Sequence, residues 1–186
     1  NGADAVYLGA RAFGARSSAG FDDDALGTAI RTAHLYGKRV YVAVNTLIKQ
    51  HELAEVAQLI GRLDQLEADA LIVQDLGLLH FIRERYPHFP IHASTQMSIH
   101  NASGAQLLLG EGVQRVVLAR ECSLDTIKQV AATGIETEVF VHGALCISVS
   151  GQCLLSSQIG GRSGNRGRCA QPCRMQYTFA QRHCSN

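Results

Sequence analysis

The stretch RVYVAVNTLIKQHELAEVAQLIGRLDQLEADALIVQD, residues 39–75, contains a complete strand–helix–strand pattern. Its two ends, 39–45 and 70–75, are rich in valine, alanine, leucine and isoleucine, which is typical of parallel strands that are buried on both faces. Between them, apolar residues recur at helical spacing, at Leu53, Val56, Ala57, Ile60 and Leu63. We therefore predict a β-α-β unit over this stretch.

The same pattern recurs along the rest of the chain. Further apolar runs that end in small or polar residues lie at 5–10, 91–96, 115–121 and 138–143. Helix-like stretches lie between them, and one of these begins with Ser123, which is a good capping residue. Six strand-helix units predict an α/β fold, either a doubly wound sheet or a (β/α) barrel.

Residues with reactive side chains follow nearly every predicted strand, and this favours the barrel. They are Asn45, Gln74 with Asp75, Thr95 with Gln96, Arg120 with Glu121, and His142. In a barrel the carboxyl ends of all strands converge on one face, where the active site lies, whereas an open sheet brings together only those near its switch point. Since six strands are too few to close an eight-stranded barrel, we predict a partial TIM-like barrel over residues 1–143, with both ends of the chain truncated.

Charge is unevenly distributed along the 186 residues. The net charge is only +1, so total charge indicates neither a nucleic acid nor a membrane as partner. Residues 143–186, however, contain five arginines and no acidic residue, which leaves −4 for the remainder. No apolar run reaches the roughly 18 residues of a membrane span, so we expect no membrane partner. The basic last quarter predicts a binding site for an anion.

Five of the six cysteines lie in this basic part, and four of them have the spacing Cys146-x6-Cys153-x15-Cys169-x3-Cys173. We predict that residues 144–186 form a cysteine- and arginine-rich segment that continues the same domain. Clustered thiols in a chain of strands and helices indicate metal ligands or catalytic groups rather than a secreted disulfide scaffold. Thiolates suit an iron–sulfur cluster or zinc, and unrelated cysteines are a third interpretation.

The sequence EVFVHGALCISVSGQCLLSS, residues 138–157, resembles the signature of the collagenase-like peptidases, family thirty-two of the unassigned-type peptidases. GRSGNRGRCAQPCR, residues 161–174, resembles the next block of that family. GADAVYLG, VNTLI, DALIVQD, IHASTQ and VVLARE resemble its upstream strands. The resemblance extends over residues 1–179 and points to the branch of ribosomal-RNA cytidine and transfer-RNA uridine hydroxylation proteins.

The resemblance implies an enzyme whose family name and chemistry diverge. Members are named peptidases, whereas related proteins hydroxylate an RNA base or a ubiquinone precursor without using oxygen. It also implies a [4Fe–4S] cluster held by Cys146, Cys153 and Cys169. The usual fourth ligand lies beyond this sequence, and Cys173 is the substitute within it. Related RNA modifiers draw on prephenate as a source of the hydroxyl group.

We therefore expect a cytoplasmic, iron–sulfur-dependent RNA hydroxylase with ribosomal or transfer RNA as partner. A collagenase-like peptidase and a hydroxylase of a quinone precursor are the alternatives, and zinc is the alternative metal. The motifs G-x-S-x-G and H-E-x-x-H of other hydrolases are absent from the sequence. The sequence assigns no role to Cys122 or Cys184 and predicts no oligomeric state.

Five residues are candidates for contact with the substrate. His142 is expected either to donate a proton or to be hydrogen-bonded in a tight corner. Gln96 is expected to contact the substrate, on the same strand as a packed His92. Arg120 and Glu121 form an ion pair or orient the substrate, and Asn45 contacts the substrate or caps the next helix.

Four arginines are candidates for RNA binding: Arg162, Arg166, Arg168 and Arg174. Guanidinium groups without acidic neighbours suit the RNA phosphates or an anionic cofactor. A solvated loop is the alternative interpretation of the same residues.

Overall fold

In a computed structural model, residues 2–15, 20–143, 145–179 and 182–184 are described. Six parallel strands form one sheet in which the spatial order equals the chain order. The strands are β1 (Ala5–Gly9), β2 (Arg39–Val44), β3 (Ala70–Val73), β4 (Ile91–Ala93), β5 (Arg115–Val117) and β6 (Glu136–Glu138). Sequential parallel order with a helix after each of the first five strands is the architecture of a (β/α) barrel. The prediction of a partial TIM-like barrel is confirmed.

The intervening helices are α1 (Asp23–Leu35), α2 (Leu53–Gln65), α3 (Leu76–Arg85), α4 (Ala102–Gly110) and α5 (Leu124–Ala131). Four of them begin at a side chain that accepts a hydrogen bond from a main-chain N–H of the first turn, which satisfies one of the donors that a helix start leaves unpaired. These caps are Asp22, Asp75, Asn101 and Ser123. The predicted cap at Ser123 is confirmed.

The main core lies between the sheet and its helices. Alternate residues of β2, Val40, Val42 and Val44, pack in one cluster with buried helix residues such as Ile60 and Leu63. The residue between two of these valines, Tyr41, lies on the other face, where it packs on Ala70 and Ile72. Both faces of the central strands are therefore covered, as the nearly continuous apolar runs predict.

The inner face of the sheet carries aromatic and charged side chains. Tyr41 contacts the ring of Tyr7 at 5.5 Å and that of His92 at 4.6 Å between centroids. The Arg115 guanidinium lies 4.9 Å from the centre of the Tyr41 ring. His92 is buried as predicted, its Nδ1 has no hydrogen-bond partner among the described residues, and burial together with the positive charge of Arg115 lowers its pKa to about 4.

Residues of the first and last strands of the sheet meet on this inner face. The Tyr7 hydroxyl on β1 donates a hydrogen bond to the Glu138 carboxylate on β6. Arg115 forms ion pairs with Glu138 at 3.1 Å and with Glu136 at 2.6 Å. Burial, reinforced by the neighbouring Glu138 carboxylate, raises the pKa of Tyr7. The sheet therefore curls strongly enough for its outermost strands to touch through their side chains.

The sixth strand begins and ends earlier than the apolar run predicts. It was expected at 138–143, whereas β6 is Glu136–Glu138 and pairs with Arg115–Val117. The register is fixed by the two glutamates, which reach Arg115 on the neighbouring strand. Phe140 and Val141 are exposed beyond the strand end. The placement of His142 at the end of a strand is therefore wrong, because β6 has already ended at Glu138.

After β6 the chain leaves the sheet and forms short elements. Helix α6 is Leu155–Gly160, and two 3-10 turns follow at Gly164–Arg166 and Pro172–Arg174. The strands β7 (Tyr177–Phe179) and β8 (Arg182–Cys184) pair in antiparallel fashion. Among the described residues no helix has the length and apolar character needed to cross a membrane. A boundary between residues 143 and 144 stays a prediction.

Candidate functional site

Residues 145–174, here called the cysteine-rich segment, run across the carboxyl ends of the strands. The segment contacts the loops that follow β1, β2, β4 and β5. These contacts are made by Gly167 against Gly14 and Ala15, by Arg166 with Leu47 and Glu52, by Gly151 against Gln96, and by Ser150 with Arg120 and Glu121. The segment therefore covers the end of the barrel at which active sites lie.

Ser150 is a deeply buried contact of the segment, with 1% of its surface exposed. Its main-chain N–H donates to Glu121 Oε1 at 2.8 Å, and its Oγ accepts from Arg120 Nε at 3.2 Å. Although partial burial opposes it, hydrogen bonds from the main-chain N–H groups of Glu121 and Ser150 and from the Ser150 hydroxyl hold the pKa of the Glu121 carboxyl below its ordinary value. The predicted ion pair of Arg120 and Glu121 is present at 4.0 Å.

Gln96 lies beside the segment, although not on a strand. The hydroxyl of Ser94 accepts from the Gln96 N–H at 3.2 Å and begins a 3-10 turn, Thr95–Met97, so β4 ends at Ala93. The prediction that His92 and Gln96 share one strand face is therefore wrong. A Cβ on Gly151, whose φ is +74°, would lie 2.3 Å from the Gln96 carbonyl oxygen. Only glycine fits this close approach.

Asn45 joins two loops at the same end of the barrel. Its Oδ1 accepts from the Ala15 N–H at 2.9 Å, and its Nδ2 donates to Ser94 Oγ at 3.3 Å. The side chain therefore links the loop after β1 to the end of β4 and does not cap helix α2, which has no side-chain cap hydrogen bond at its start. Asn45, Gln96, Arg120 and Glu121 therefore lie at the same end of the barrel.

His142 stands apart from these four residues. Its side chain is exposed, and within the described ranges no hydrogen bond joins it to them. A different histidine reaches the site: His100 Nε2 lies 3.5 Å from Glu121 Oε2, and its Nδ1 lies 2.6 Å from the Ser98 carbonyl oxygen. Sequence reasoning missed His100 and Ser150, since neither follows a strand or matches a catalytic spacing.

The cysteines of the segment belong to one folded unit. A Cβ on Gly164 would contact both Cys169 Cβ, at 3.6 Å, and the Cys153 carbonyl oxygen, at 3.9 Å. The N–H of Gln171 donates to Cys169 Sγ at 3.3 Å, which is the kind of hydrogen bond that a cluster-bound sulfur accepts. Arg174 reaches back to the carbonyl oxygen beside Cys146, that of Leu145, at 3.1 Å. This hydrogen bond links the two ends of the cysteine-containing stretch.

The donor set fits a soft metal centre in its chemistry. Four thiols lie on one segment that contains no carboxylate, beside glycines and arginines that suit a negatively charged centre. In the part of the chain that the structure describes, no three His, Cys, Asp or Glu side chains are close enough to hold a metal ion. Binding therefore requires the thiols of Cys146, Cys153, Cys169 and Cys173 to converge.

The other two cysteines lie elsewhere. Cys122 belongs to the barrel, where its Sγ donates to the Ile99 carbonyl oxygen at 3.7 Å. Burial and the nearby Glu121 charge raise the pKa of its thiol, which disfavours the reactive thiolate. The side chain of Cys184 lies outside the described part of the chain.

The four candidate arginines differ in their partners. Both terminal nitrogens of the Arg166 guanidinium donate to the Glu52 carboxylate. Arg162, Arg168 and Arg174 are exposed and, over the described residues, have no acidic partner. Arg162 Nε donates to the Arg168 carbonyl oxygen at 3.1 Å, which holds two of them close together. Three uncompensated positive charges therefore lie beside the thiols.

Three curated proteins are similar to this chain over nearly all of its length. The 23S rRNA 5-hydroxycytidine C2501 synthase of Escherichia coli is 44% identical over 96% of this chain and 27% of its own length. The tRNA hydroxylation protein P of Helicobacter pylori is 38% identical over 100% of this chain and 45% of its own. A collagenase of Porphyromonas gingivalis is 32% identical over 95% of this chain and 45% of its own length. The chain thus spans less than half the length of each of these relatives.

A solved structure shows the same fold. The U32 peptidase Mk0906 superposes with a TM-score of 0.61 over 73% of this chain and 59% of its own, at 12% identity. The sequence profile of Peptidase family U32 matches residues 1–185. The curled six-stranded sheet, the cysteine-rich segment across its strand ends and this match agree with the resemblance on residues 138–174. The chain belongs to Peptidase family U32.

Proposed function

We propose that this chain is part of an iron–sulfur enzyme that hydroxylates a base of ribosomal or transfer RNA without using oxygen. The observation that carries the proposal is the position of the cysteine-rich segment. It places four thiols and three exposed arginines over the strand ends of a (β/α) barrel. Two relatives named for RNA hydroxylation support it. Because the chain spans 27% and 45% of their lengths, the proposed activity is that of the whole protein.

The arginines supply the affinity for RNA in this proposal. Arg162, Arg168 and Arg174 bind backbone phosphates, and such contacts release counterions and make binding depend on salt. Arg166, which is paired with Glu52, fixes the loop that carries Arg162 and Arg168. An atom inside a stacked helix is inaccessible, so the target base is extruded toward the strand ends. An RNA substrate also implies a cytoplasmic location.

The cluster is assigned to Cys146, Cys153 and Cys169, with Cys173 as the fourth ligand within this sequence. When bound, it supplies electron transfer or a binding place for the hydroxyl donor, which we propose to be derived from prephenate. The N–H of Gln171 donates to the Cys169 sulfur, and hydrogen bonds of this kind tune a cluster-bound sulfur. Zinc on the same thiols is the alternative outcome of a metal analysis.

Side chains at the strand ends bind and orient the base. Asn45 and Gln96 present amide groups, which suit the hydrogen-bonding edge of a pyrimidine. Asn45 is itself held by Ala15 and Ser94, so its orientation is fixed before a substrate arrives. His142 lies beyond the end of β6, apart from these side chains, and as an exposed histidine it is the candidate proton donor. Arg120 and Glu121 hold the cysteine-rich segment on the barrel.

The first experiment is a metal analysis of the intact protein purified without oxygen. Iron, sulfide and zinc are measured with the visible absorption spectrum for the wild type, Cys153→Ala and Cys122→Ala. The proposal predicts about four irons per chain and a broad band at roughly 400 nm. Both disappear in Cys153→Ala and persist in Cys122→Ala, since Cys122 lies in the barrel. Mass spectrometry of RNA from cells that lack the protein then identifies the modified base.

A colourless protein, or one with zinc at stoichiometry, would contradict the cluster. The collagenase among the relatives makes peptidase activity the next hypothesis in that case. Cleavage of gelatin that is abolished by Cys146→Ala would support it. Iron that survives in Cys153→Ala would place the cluster on other residues.

A further inference from the structure

We propose that Arg120, Glu121 and Ser150 form a tether that positions Cys146 above the strand ends, and that all three are positioning residues rather than substrate contacts. The proposal deepens the proposed function, because the cluster assigned to Cys146 belongs to it. The placement of Cys146 by the tether can nevertheless be tested without metal.

All three nitrogens of the Arg120 guanidinium donate to the cysteine-rich segment. Nε donates to Ser150 Oγ, and the two terminal nitrogens donate to the carbonyl oxygens of Cys146 and Ser148, each at 3.2 Å. The Arg120 side chain is only 15% exposed. A guanidinium that is shared among three acceptors of one segment fixes the path of that segment and leaves little of its surface for a substrate.

Glu121 completes the tether from the same loop. Its carboxylate accepts the Ser150 N–H at 2.8 Å and lies 3.2 Å from the Ser150 hydroxyl oxygen. The main-chain N–H of Arg120 also points to Ser150 Oγ, at 3.3 Å. Ser150 is therefore bound by main chain and side chains together, and at 1% exposure no water replaces these contacts.

The base of the tether is rigid. Leu118 and Ala119, directly before Arg120, are 1% and 3% exposed, and the Ala119 N–H donates to the Ile99 carbonyl oxygen at 3.1 Å. On its other side Cys146 follows Leu145, whose carbonyl oxygen accepts from Arg174 at 3.1 Å. Cys146 thus lies between two arginine contacts to consecutive carbonyl groups. Without the tether, the arginine contact that remains is that of Arg174, which is itself on the segment.

Three variants and one control test the tether in the intact protein: Glu121→Ala, Glu121→Gln, Ser150→Ala and the control Glu136→Gln. Glu136 pairs with Arg115 on the inner face of the barrel, away from the tether. Hydrogen–deuterium exchange is followed in peptides that cover residues 146–152 and α6. We expect exchange in 146–152 to accelerate about tenfold in Glu121→Ala and to recover in part in Glu121→Gln, because an amide oxygen still accepts the Ser150 N–H. Exchange in α6 stays as in the wild type.

The second measurement is the rate at which a chelator removes iron from the same proteins, together with the reduction potential of the bound centre. The tether predicts roughly tenfold faster loss of iron in Glu121→Ala and Ser150→Ala, with a shifted potential, and wild-type values in Glu136→Gln. If Glu121 had only a structural role, Glu121→Gln and Glu136→Gln would change thermal stability equally. The reduction potential of the bound centre would then be the same in both variants as in the wild type.

The outcomes separate the two proposals. If the wild type holds iron and the tether variants match it in exchange and iron loss, the tether is wrong and the proposed function stands. If the wild type holds no iron, the proposed function is wrong, while faster exchange confined to 146–152 still supports the tether. Equal acceleration of exchange in the control, or across the whole chain, would overturn the positioning role.

Discussion

The guanidinium of Arg166 forms a two-point ion pair with the carboxylate of Glu52, which lies 114 residues earlier in the chain. One of the two nitrogen–oxygen distances is 2.7 Å, and the same guanidinium donates to the Leu47 carbonyl oxygen. The side chains are 25% and 14% exposed, so water screens the pair only weakly. This pair fixes the cysteine-rich segment to the loop after β2, as Arg120 and Glu121 fix it to the end of β5.

The stability contributed by Glu52 is expected to depend on pH. The hydrogen bonds from Arg166 lower the pKa of Glu52 to about 2 from its ordinary 4.5. Because the folded-state pKa is the lower one, the contribution is complete above pH 4.5 and disappears as the pH falls toward 2. Glu52→Gln should therefore lower the unfolding free energy by about 1–2 kcal/mol at pH 7 and by much less near pH 3. Urea unfolding at both pH values measures the difference, and an equal decrease at both would contradict the ion pair.

Exposed arginines are expected to govern RNA affinity and its salt dependence. Arg168→Gln should weaken binding to all RNA sequences alike and reduce the slope of log affinity against log salt by about 0.7–0.9, because one fewer phosphate is neutralised on binding. Lys38→Gln is the matched control, because Lys38 lies just before β2, at the opposite end of the strands. Fluorescence anisotropy over a salt series gives both slopes. Equal slopes for Arg168→Gln and the wild type would remove Arg168 from the RNA interface.

His92 is expected to make the barrel sensitive to mild acid. Burial and the Arg115 charge lower its pKa from 6.5 to about 4, so the unfolded chain binds a proton more readily than the folded one between these values. Its contribution is full above pH 6.5 and disappears as the pH falls toward 4. Glutamine does not titrate. In His92→Gln, the decrease in unfolding free energy between pH 6.5 and pH 4 should therefore be smaller than in the wild type by up to about 3 kcal/mol. An unchanged pH profile of stability in His92→Gln would contradict the burial of a neutral imidazole.

Substitutions at two glycines with positive φ, Gly134 and Gly151, distinguish the cost of backbone strain from the cost of a steric clash. Gly134 has a φ of +88°, and a Cβ added there would have no atom within 4 Å. A Cβ added at Gly151 would clash with the Gln96 carbonyl oxygen. Gly134→Ala should cost about 1 kcal/mol of unfolding free energy, and Gly151→Ala should cost about 2–4 kcal/mol or detach the segment. Thermal unfolding together with hydrogen exchange of residues 146–152 distinguishes these results. Equal costs for the two variants would show that the segment yields to the added methyl group.

Most of the sheet could be predicted because its strands are apolar on both faces. Residues 40–44 and 70–73 are apolar throughout, which predicts burial on both faces, and the reactive residues at the strand ends favour the strand order of a barrel. The sixth strand was misplaced because its inner face carries Glu136 and Glu138, whose strand position depends on Arg115. The position of a charged residue in a strand depends on the residue with which it pairs. Sequence periodicity does not identify that residue.

The site was predicted in part for a related reason. Strand ends converge in any barrel, so the meeting of Asn45, Gln96 and Glu121 follows from topology alone. The hydrogen bonds of Ser150 depend on the path of an irregular segment, which no periodic pattern encodes. The ion pair of Arg166 with Glu52 could not be predicted from the sequence either, because the two residues are 114 positions apart and no periodic pattern relates them.

The hydrogen bond from Tyr7 to Glu138 has a consequence for the order of folding. The two residues are 131 positions apart, and four strands lie between theirs in the sheet. Each β-α unit forms its contacts over a short loop, whereas this bond forms only after all the intervening strands have paired. We therefore expect the sheet to acquire its curvature after the rate-limiting barrier. Tyr7→Phe should accelerate unfolding and leave the refolding rate nearly unchanged, because the hydrogen bond between the outermost strands then slows the unfolding of a sheet that has already assembled.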